Sequence, residues 1–342
     1  MIDRILVPLD GSAVAAQALP YALALAEPDA DIVLLRVVPP LHGLAGQLIV
    51  TQHEVQARDE EVAQYEIERE SKALKERGMT VSPEVVLGDP AAQILRVAAE
   101  RAVGMIAMTT HGRGAVGRFL FGSVADRVAR ASLVPVCLIR PRPEAVPPIP
   151  PAIQRVLVPL DGSDLAAEAL PVAAALARRL AIPVHLVCAV DPVSALPVSS
   201  GLGGESPMIA AELYEEIERQ ATADARRTLE AVASQLRNGG VPTTWEVLTG
   251  SPLFVIPATT RPGDLLVMTS HGRGGVRRWL VGSVAEKLVR EAEVPIVLVP
   301  TSVRRGGDPA AADVAIAAVA PESAAGEAGG GQEQRGGAPC ST

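Results

Sequence analysis

Residues Arg4 to Ser12 read RILVPLDGS, and residues Arg155 to Ser163 read RVLVPLDGS, identical at eight of nine positions. Each block carries an apolar run into Asp-Gly-Ser, the pattern of a buried strand entering a turn. Two further blocks repeat in the same order. THGRGAVGRFLFGSVADRVAR, from Thr110 to Arg130, returns as SHGRGGVRRWLVGSVAEKLVR, from Ser270 to Arg290, with 12 of 21 positions retained, and VPVCLIRP from Val134 returns as VPIVLVP from Val294. Three blocks repeated in order make a duplicated domain. The copies lie 151 residues apart at Asp10/Asp161 and 160 apart at Gly112/Gly272, so the second carries a net nine extra residues, expected in the loop VSALPVSSGLGGESP.

Within the first copy, RILVPLD, DIVLLRVV, VSPEVVLG, MIAMTT and VPVCLIR are apolar runs without in-and-out alternation. Such runs suit parallel strands covered on both faces. Between them lie helical stretches, including one in which Asp89 precedes Pro90 as an N-cap precedes an N1 proline. The alternation predicts an α/β fold, two doubly wound, Rossmann-like domains. Pro20 and Pro171 should kink or shorten the first helix of each copy. Pro83 places the third strand at a sheet edge, and SPLFVIPATTRPG, with Pro257, reads as a poor helix. The expected boundaries are residues 1–142 and 153–301 for the domains and 143–152 for a stiff proline-rich linker. The Ala/Gly/Glu-rich tail, 302–342, is expected to be disordered.

Composition narrows the function. The 342 residues are 48% apolar but only 2% aromatic, and the net charge is −8. Nucleic-acid binding and attachment to anionic membranes are disfavoured by that charge, and base stacking has few rings to use. No apolar run reaches the roughly 18 residues that span a bilayer, and the start MIDRILVPLDGS has no cleavable apolar region, so a cytoplasmic protein is expected. Cys137 and Cys188 sit in strand-like runs and Cys340 in the tail, with no metal-type spacing, and the five histidines are scattered.

In an open α/β sheet, ligands bind beyond the carboxyl ends of the strands, where strand order reverses. The LDGS and HGRG…GS blocks follow the first and fourth strands and should converge there. Ser123-Val-Ala-Asp126 and Ser283-Val-Ala-Glu286 fit S-x-x-[DE] helix starts, whose exposed N–H groups attract anions. Gly122 and Gly282 lack the Cβ that would keep a phosphate from the backbone. The segments from His111 to Ser123 and from His271 to Ser283 carry two and three arginines and no acid. A P-loop is excluded because its lysine is missing. Asp10 and Asp161 could accept from an adenine amino group or a ribose, or simply close an Asp-Gly turn. His111 and His271, with no nucleophile elbow beside Ser12 or Ser163, read as structural.

Together these residues resemble the universal stress protein domain over about Met1 to Pro141 and Gln154 to Pro300. The family motif, G-x-x-G, nine residues, then G and Ser or Thr, reads Thr109-x-x-Gly112 with Gly122-Ser123, and Thr269-x-x-Gly272 with Gly282-Ser283. The resemblance implies two parallel five-stranded sheets of order 3-2-1-4-5, each binding ATP over the strand ends. By position Pro8, Leu9, Asp10 and Val37 would lie along the adenosine, with Gly112, Gly122, Ser123 and Val124 at the phosphates. In the second copy the same places are Pro159, Leu160, Asp161, Ala189, Gly272, Gly282, Ser283 and Val284. Thr109 and Thr269 replace the motif's first glycine and put a Cβ on the ribose wall. The implied role is a nucleotide-dependent stress regulator with an unidentified protein partner. Mg²⁺ would be held mainly by phosphates, and no catalytic residue is assigned. A nucleotide-free interaction module and a slow ATPase are the alternatives. The resemblance also implies pairing of the last strands, here within one chain as a pseudo-dimer, with further association of chains left open.

Overall fold

The computed structural model describes residues 2–40, 49–111, 122–141, 152–192, 207–270 and 283–301. The first copy runs β1 (Arg4–Leu9), α1 (Ala13–Ala16), α2 (Leu19–Leu25), β2 (Asp31–Val38), α3 (Ile49–Lys75), β3 (Thr80–Leu87), α4 (Pro90–Glu100), β4 (Met105–Thr109), α5 (Ser123–Ala131) and β5 (Val136–Ile139). The second repeats it as β6 (Arg155–Pro159), α6 (Asp164–Ala167), α7 (Leu170–Leu180), β7 (Val184–Val190), α8 (Pro207–Asn238), β8 (Thr243–Thr249), α9 (Pro252–Thr259), β9 (Asp264–Thr269), α10 (Ser283–Glu291) and β10 (Ile296–Val299). Each copy has the strand order 3-2-1-4-5, parallel throughout. The expected linker and tail fall almost wholly outside the described residues.

The copies join into one ten-stranded sheet, β3-β2-β1-β4-β5-β10-β9-β6-β7-β8. At the seam β5 and β10 run antiparallel, with Cys137 opposite Val297, Leu138 opposite Ile296 and Val136 opposite Leu298. Because Val297 is the counterpart of Cys137, this register is its own mirror under exchange of copies. A pseudo-twofold axis passes between these two residues, the geometry of an isologous dimer interface built into one chain. Burial pushes the Cys137 thiol up to about 12, which suits a packing role. One apolar core lies on each face of the sheet and continues across the seam. The first gathers Leu25 and Ile67 of copy one with Leu176 and Leu229 of copy two. The second gathers Ile94 and Val128 with Ile256 and Leu288.

The prolines act as the chain chemistry requires. Pro20 and Pro171 each stand at the start of a new helix, so the first helical stretch of each copy is split, α1 from α2 and α6 from α7. Asp89 caps α4 by accepting from the Ala92 N–H at 3.0 Å. Pro83 lies on β3, an outer strand of the sheet. The poor helix forms nonetheless: α9 contains Pro257 and is held by burial of Ile256 in the second core. Strand registers also locate the extra residues. Relative to copy one, copy two is offset by 151 at β6, 152 at β7, 162 at β8 and 160 at β9. Ten residues therefore enter between β7 and β8, where the loop was expected, and two are lost around α9.

At the amino ends of the copy-two strands, His185 on β7 shares a hydrogen bond with Thr244 Oγ1 at 2.8 Å. Its Nε2 lies 3.9 Å from Glu246, and Arg155, Arg261 and Asp264 act on the same ring. Burial, seconded by Arg155, lowers its pKa against the opposing pull of Glu246 and Asp264. A base whose folded pKa is depressed stabilises the fold above its unfolded value and loses that contribution as pH falls through it. Urea unfolding is expected to show stability declining as pH drops below about 6.5, and His185→Gln should flatten that part of the profile.

Candidate functional site

The strand order reverses on either side of β1, between β2 and β4. β1 pairs with β2 along all six residues, Arg4 to Leu9, but with β4 only at Ile5 and Leu6. The cause lies in Pro8. The Arg4 carbonyl accepts from Gly104 beside β4, so by alternation Leu6 and Pro8 also face β4, and Pro8 has no N–H to continue the ladder. In copy two, β6 pairs with β9 only from Arg155 to Leu157, and Pro159 faces the gap for the same reason. Pro8 and Pro159 thus end the ladder at the point where the strand order reverses in each copy.

The turn beyond β1 is tied down by its own side chains. Asp10 Oδ1 accepts from the Ser12 N–H at 2.9 Å and the Ser12 hydroxyl at 2.5 Å, while Ser12 Oγ caps α1 by accepting from Ala15 at 3.1 Å. Asp161, Ser163 and Ala166 repeat this at 2.9, 2.6 and 3.2 Å. Gly11 and Gly162, at φ 77° and 78°, supply the left-handed residue between. Ser12 is therefore engaged in turn and helix closure. Pro8 and Asp10 are half-buried, Leu9 and Leu160 belong to the first core, and Val37 and Ala189 pack against the second. All stand at the carboxyl ends of β1, β2, β6 and β7.

At the end of β4, Thr109 is buried and donates its hydroxyl to the His111 carbonyl at 2.7 Å. Thr110 donates its N–H to Ile139 O and accepts from Gly122 N, both at 2.8 Å. His111 shares a hydrogen bond with Thr110 Oγ1 at 2.9 Å. In copy two Thr269 is likewise buried, and Ser270 donates to Val299 O at 3.2 Å. The replacement threonines thus complete the strand end, with Oγ1 of Thr109 turned onto the loop backbone.

One expectation at the helix start requires correction. Gly122, rather than Ser123, is the N-cap of α5, and as a glycine it has no side chain with which to cap that end. Ser123 is the first helical residue and is exposed, while Asp126 bonds Arg130 at 2.8 Å instead of reaching back to the cap. Glu286 likewise bonds Arg290 at 2.5 Å. Opposed charges four apart outcompete the capping box. Gly122 has a packing reason to be glycine as well. A Cβ there would meet Thr110 O at 2.7 Å, so the glycine is required by chain packing, which seats α5 directly on the end of β4. Val124 and Val284 pack partly against the second core.

The same helix is strapped differently in the two copies. Arg127 of α5 grips Asp89 at the start of α4 with bonds of 2.8 and 2.7 Å. In copy two Ser251 replaces Asp89, and Lys287 lies 4.0 Å over the Phe254 ring of α9. Gly112, Gly272 and Gly282 lie outside the described residues. Among the described residues no three metal-ligating side chains cluster, and no helix is long and apolar enough to cross a membrane.

The universal stress protein family model matches residues 1–140 and 152–300. Universal stress protein Rv2005c of Mycobacterium tuberculosis is 29% identical over 224 residues, 65% of this chain and 70% of that protein. A universal stress protein of Mycolicibacterium smegmatis is 28% identical over 303 residues, covering 86% of this chain and 96% of its own. The crystal structure of a universal stress protein from Archaeoglobus fulgidus superposes with a TM-score of 0.60 at 20% identity, over 88% of this chain and 99% of that one. That likeness extends the shared fold across both copies.

Proposed function

Since the chain belongs to the universal stress protein family, we propose that it binds ATP in each of its two crevices and works as a nucleotide-dependent regulator of a stress response. The observation that supports this reading is the joint placement of the early end of the β1–β4 ladder at Pro8 and a helix start whose N-cap residue is a glycine. The first N–H groups of α5 then have a ligand oxygen as their natural acceptor, favoured further by the helix dipole. Pro8, Leu9, Asp10 and Val37 would flank the adenosine; Gly112, Ser123 and Val124 would take the phosphates, with Gly122 seating the helix. Pro159, Leu160, Asp161, Ala189, Ser283 and Val284 would line the second site in the same way. The donor set suits phosphate oxygens rather than a bare metal, so Mg²⁺ would ride on the phosphates. The role is that of a binding protein, with ATP as ligand rather than substrate.

Native mass spectrometry and calorimetry with MgATP test this. Two ATP molecules per chain are expected, and Asp10→Ala or Asp161→Ala should each weaken one site by at least about tenfold. The packing reason for Gly122 favours one competitor, a nucleotide-free interaction module of the same fold. A preparation without bound nucleotide and without heat on ATP addition would establish that competitor instead.

A further inference from the structure

A groove of about 540 Å³ lies between the carboxyl-terminal half of α3 and the outer strand β3, lined by Glu68, Ser71, Lys72, Lys75, Glu76 and Pro83. Its volume falls within the range of small-molecule sites. It sits two strands from β1, and none of its residues belongs to the nucleotide reading. Ser71 stands on α3 between the core residues Ile67 and Leu74 and is 2% exposed. Its hydroxyl is buried with no hydrogen-bond partner among the described residues, a state that folded chains seldom leave uncompensated.

The second copy shows what fills this place. Leu74 O accepts from Met79 as Leu236 O accepts from Val241, and Leu34 pairs with Pro83 as Leu186 pairs with Trp245. The copies therefore correspond at an offset of 162 here, so Pro83 matches Trp245, Ser71 matches Ala233 and Glu68 matches Glu230. Trp245 packs against the first core and donates its Nε1–H to Glu230 Oε2 at 2.6 Å. Glu230 Oε1 accepts from Ser234 and Arg237.

In copy one the proline removes the indole and the acceptor stays. Glu68 Oε1 accepts from Gln64 at 2.6 Å, which leaves Oε2 for a donor in the groove. Lys72 and Lys75 take the places of Ser234 and Arg237. Both lysines are exposed and form no ion pair among the described residues, whereas Arg237 is committed to Glu230.

We propose that this groove binds a small aromatic acid of the indole class. Its ring takes the place that Trp245 fills in copy two and its N–H donates to Glu68. The ring face lies over the Ser71 hydroxyl, and the carboxylate meets Lys72 and Lys75.

Calorimetry and ligand-observed NMR on the full-length chain with indole-3-acetate test this. One molecule should bind per chain. Naphthalene-1-acetate, a ring of similar size without the N–H, should bind at least about fivefold more weakly, since a bond from the ring N–H to a carboxylate is lost. Pro83→Trp, which gives copy one the indole of copy two, should abolish binding. The Lys72→Ala/Lys75→Ala chain, altered only at exposed positions and so expected to fold, should bind about three- to fivefold more weakly. No binding of indole-3-acetate at millimolar concentration, equal binding of the naphthalene acid, or binding that survives Pro83→Trp overturns the proposal. Binding of N-acetyltryptophan amide without binding of indole-3-acetate overturns it as well, in favour of a tryptophan side chain from a partner protein.

Discussion

An Asp264→Ala chain will be about 3–5 kcal/mol less stable than the wild type in urea unfolding, the range for removing one partner of a buried ion pair. Asp264 is only 3% exposed at its side chain and Arg155 17%. Oδ1 and Oδ2 accept from the guanidinium at 2.6 and 2.9 Å, and Oδ2 also takes the Arg261 N–H at 2.8 Å. The bond to Asp264 is the main reason the Arg155 pKa is raised. Without the carboxylate, a guanidinium stays behind in a site with little water, and a backbone donor loses its acceptor. Copy one supplies the control. Gly104 stands in place of Asp264, and Arg4, 39% exposed, pairs instead with Asp31 at 3.2 Å. Asp31→Ala should cost about 1 kcal/mol or less. An Arg155→Met/Asp264→Leu double variant should recover much of the loss, because packed apolar side chains carry no desolvation cost. Equal losses from Asp31→Ala and Asp264→Ala would refute the assignment of the cost to burial.

Much of the architecture could be read from the chain because its signals are local. Continuous apolar runs such as DIVLLRVV mark strands covered on both faces, and the repeat fixed how often the unit occurs. The seam was anticipated only through the family resemblance, which implies pairing of the last strands, because β3 and β5 are both edges of a 3-2-1-4-5 sheet. The self-mirrored register at Cys137 and Val297 required the sheet. The candidate site was only partly legible. Its residues were identifiable by type and spacing, whereas their jobs depend on neighbours distant in sequence. Pro8 looked like an adenosine contact, and its missing N–H is also what ends the β1–β4 ladder. Ser123-x-x-Asp126 spelled a capping box, but Arg130 lies one turn on and claims the acid. That Arg140, at the end of β5, would cross the seam to donate to the carbonyls of Arg290 and Glu291 is encoded by no spacing within one copy.

Gly122→Ala is the substitution expected to damage the first site most, and the reason is space rather than backbone angle. Gly122 has φ −58° and ψ 139°, values open to any residue. An added Cβ would lie 2.7 Å from Thr110 O and 3.5 Å from His111 Cα. Both are backbone atoms, and Thr110 cannot retreat cheaply, because its N–H is bonded to Ile139 on β5 and its carbonyl to Gly122 itself. The strain is relieved only by lifting the start of α5 away from β4, which breaks the Gly122–Thr110 bond and turns the first-turn N–H groups from the crevice. The cost to stability should be about 1–3 kcal/mol, as for other overpacked positions. The cost to the first site should be larger in effect, at least about tenfold in ATP affinity, since losing 1.4 kcal/mol of phosphate contacts already gives that factor. Binding at the second site should change little, because α10 lies in the other copy and is held by Ala285, Leu288 and Val289 in the second core. Ser123→Ala, which removes only an exposed hydroxyl from the first helical position, should leave stability within about 0.5 kcal/mol. Native mass spectrometry would then show the Gly122→Ala chain holding one nucleotide where the wild type holds two. If that chain kept both at wild-type affinity, the seating of α5 on β4 would not be what shapes the first site.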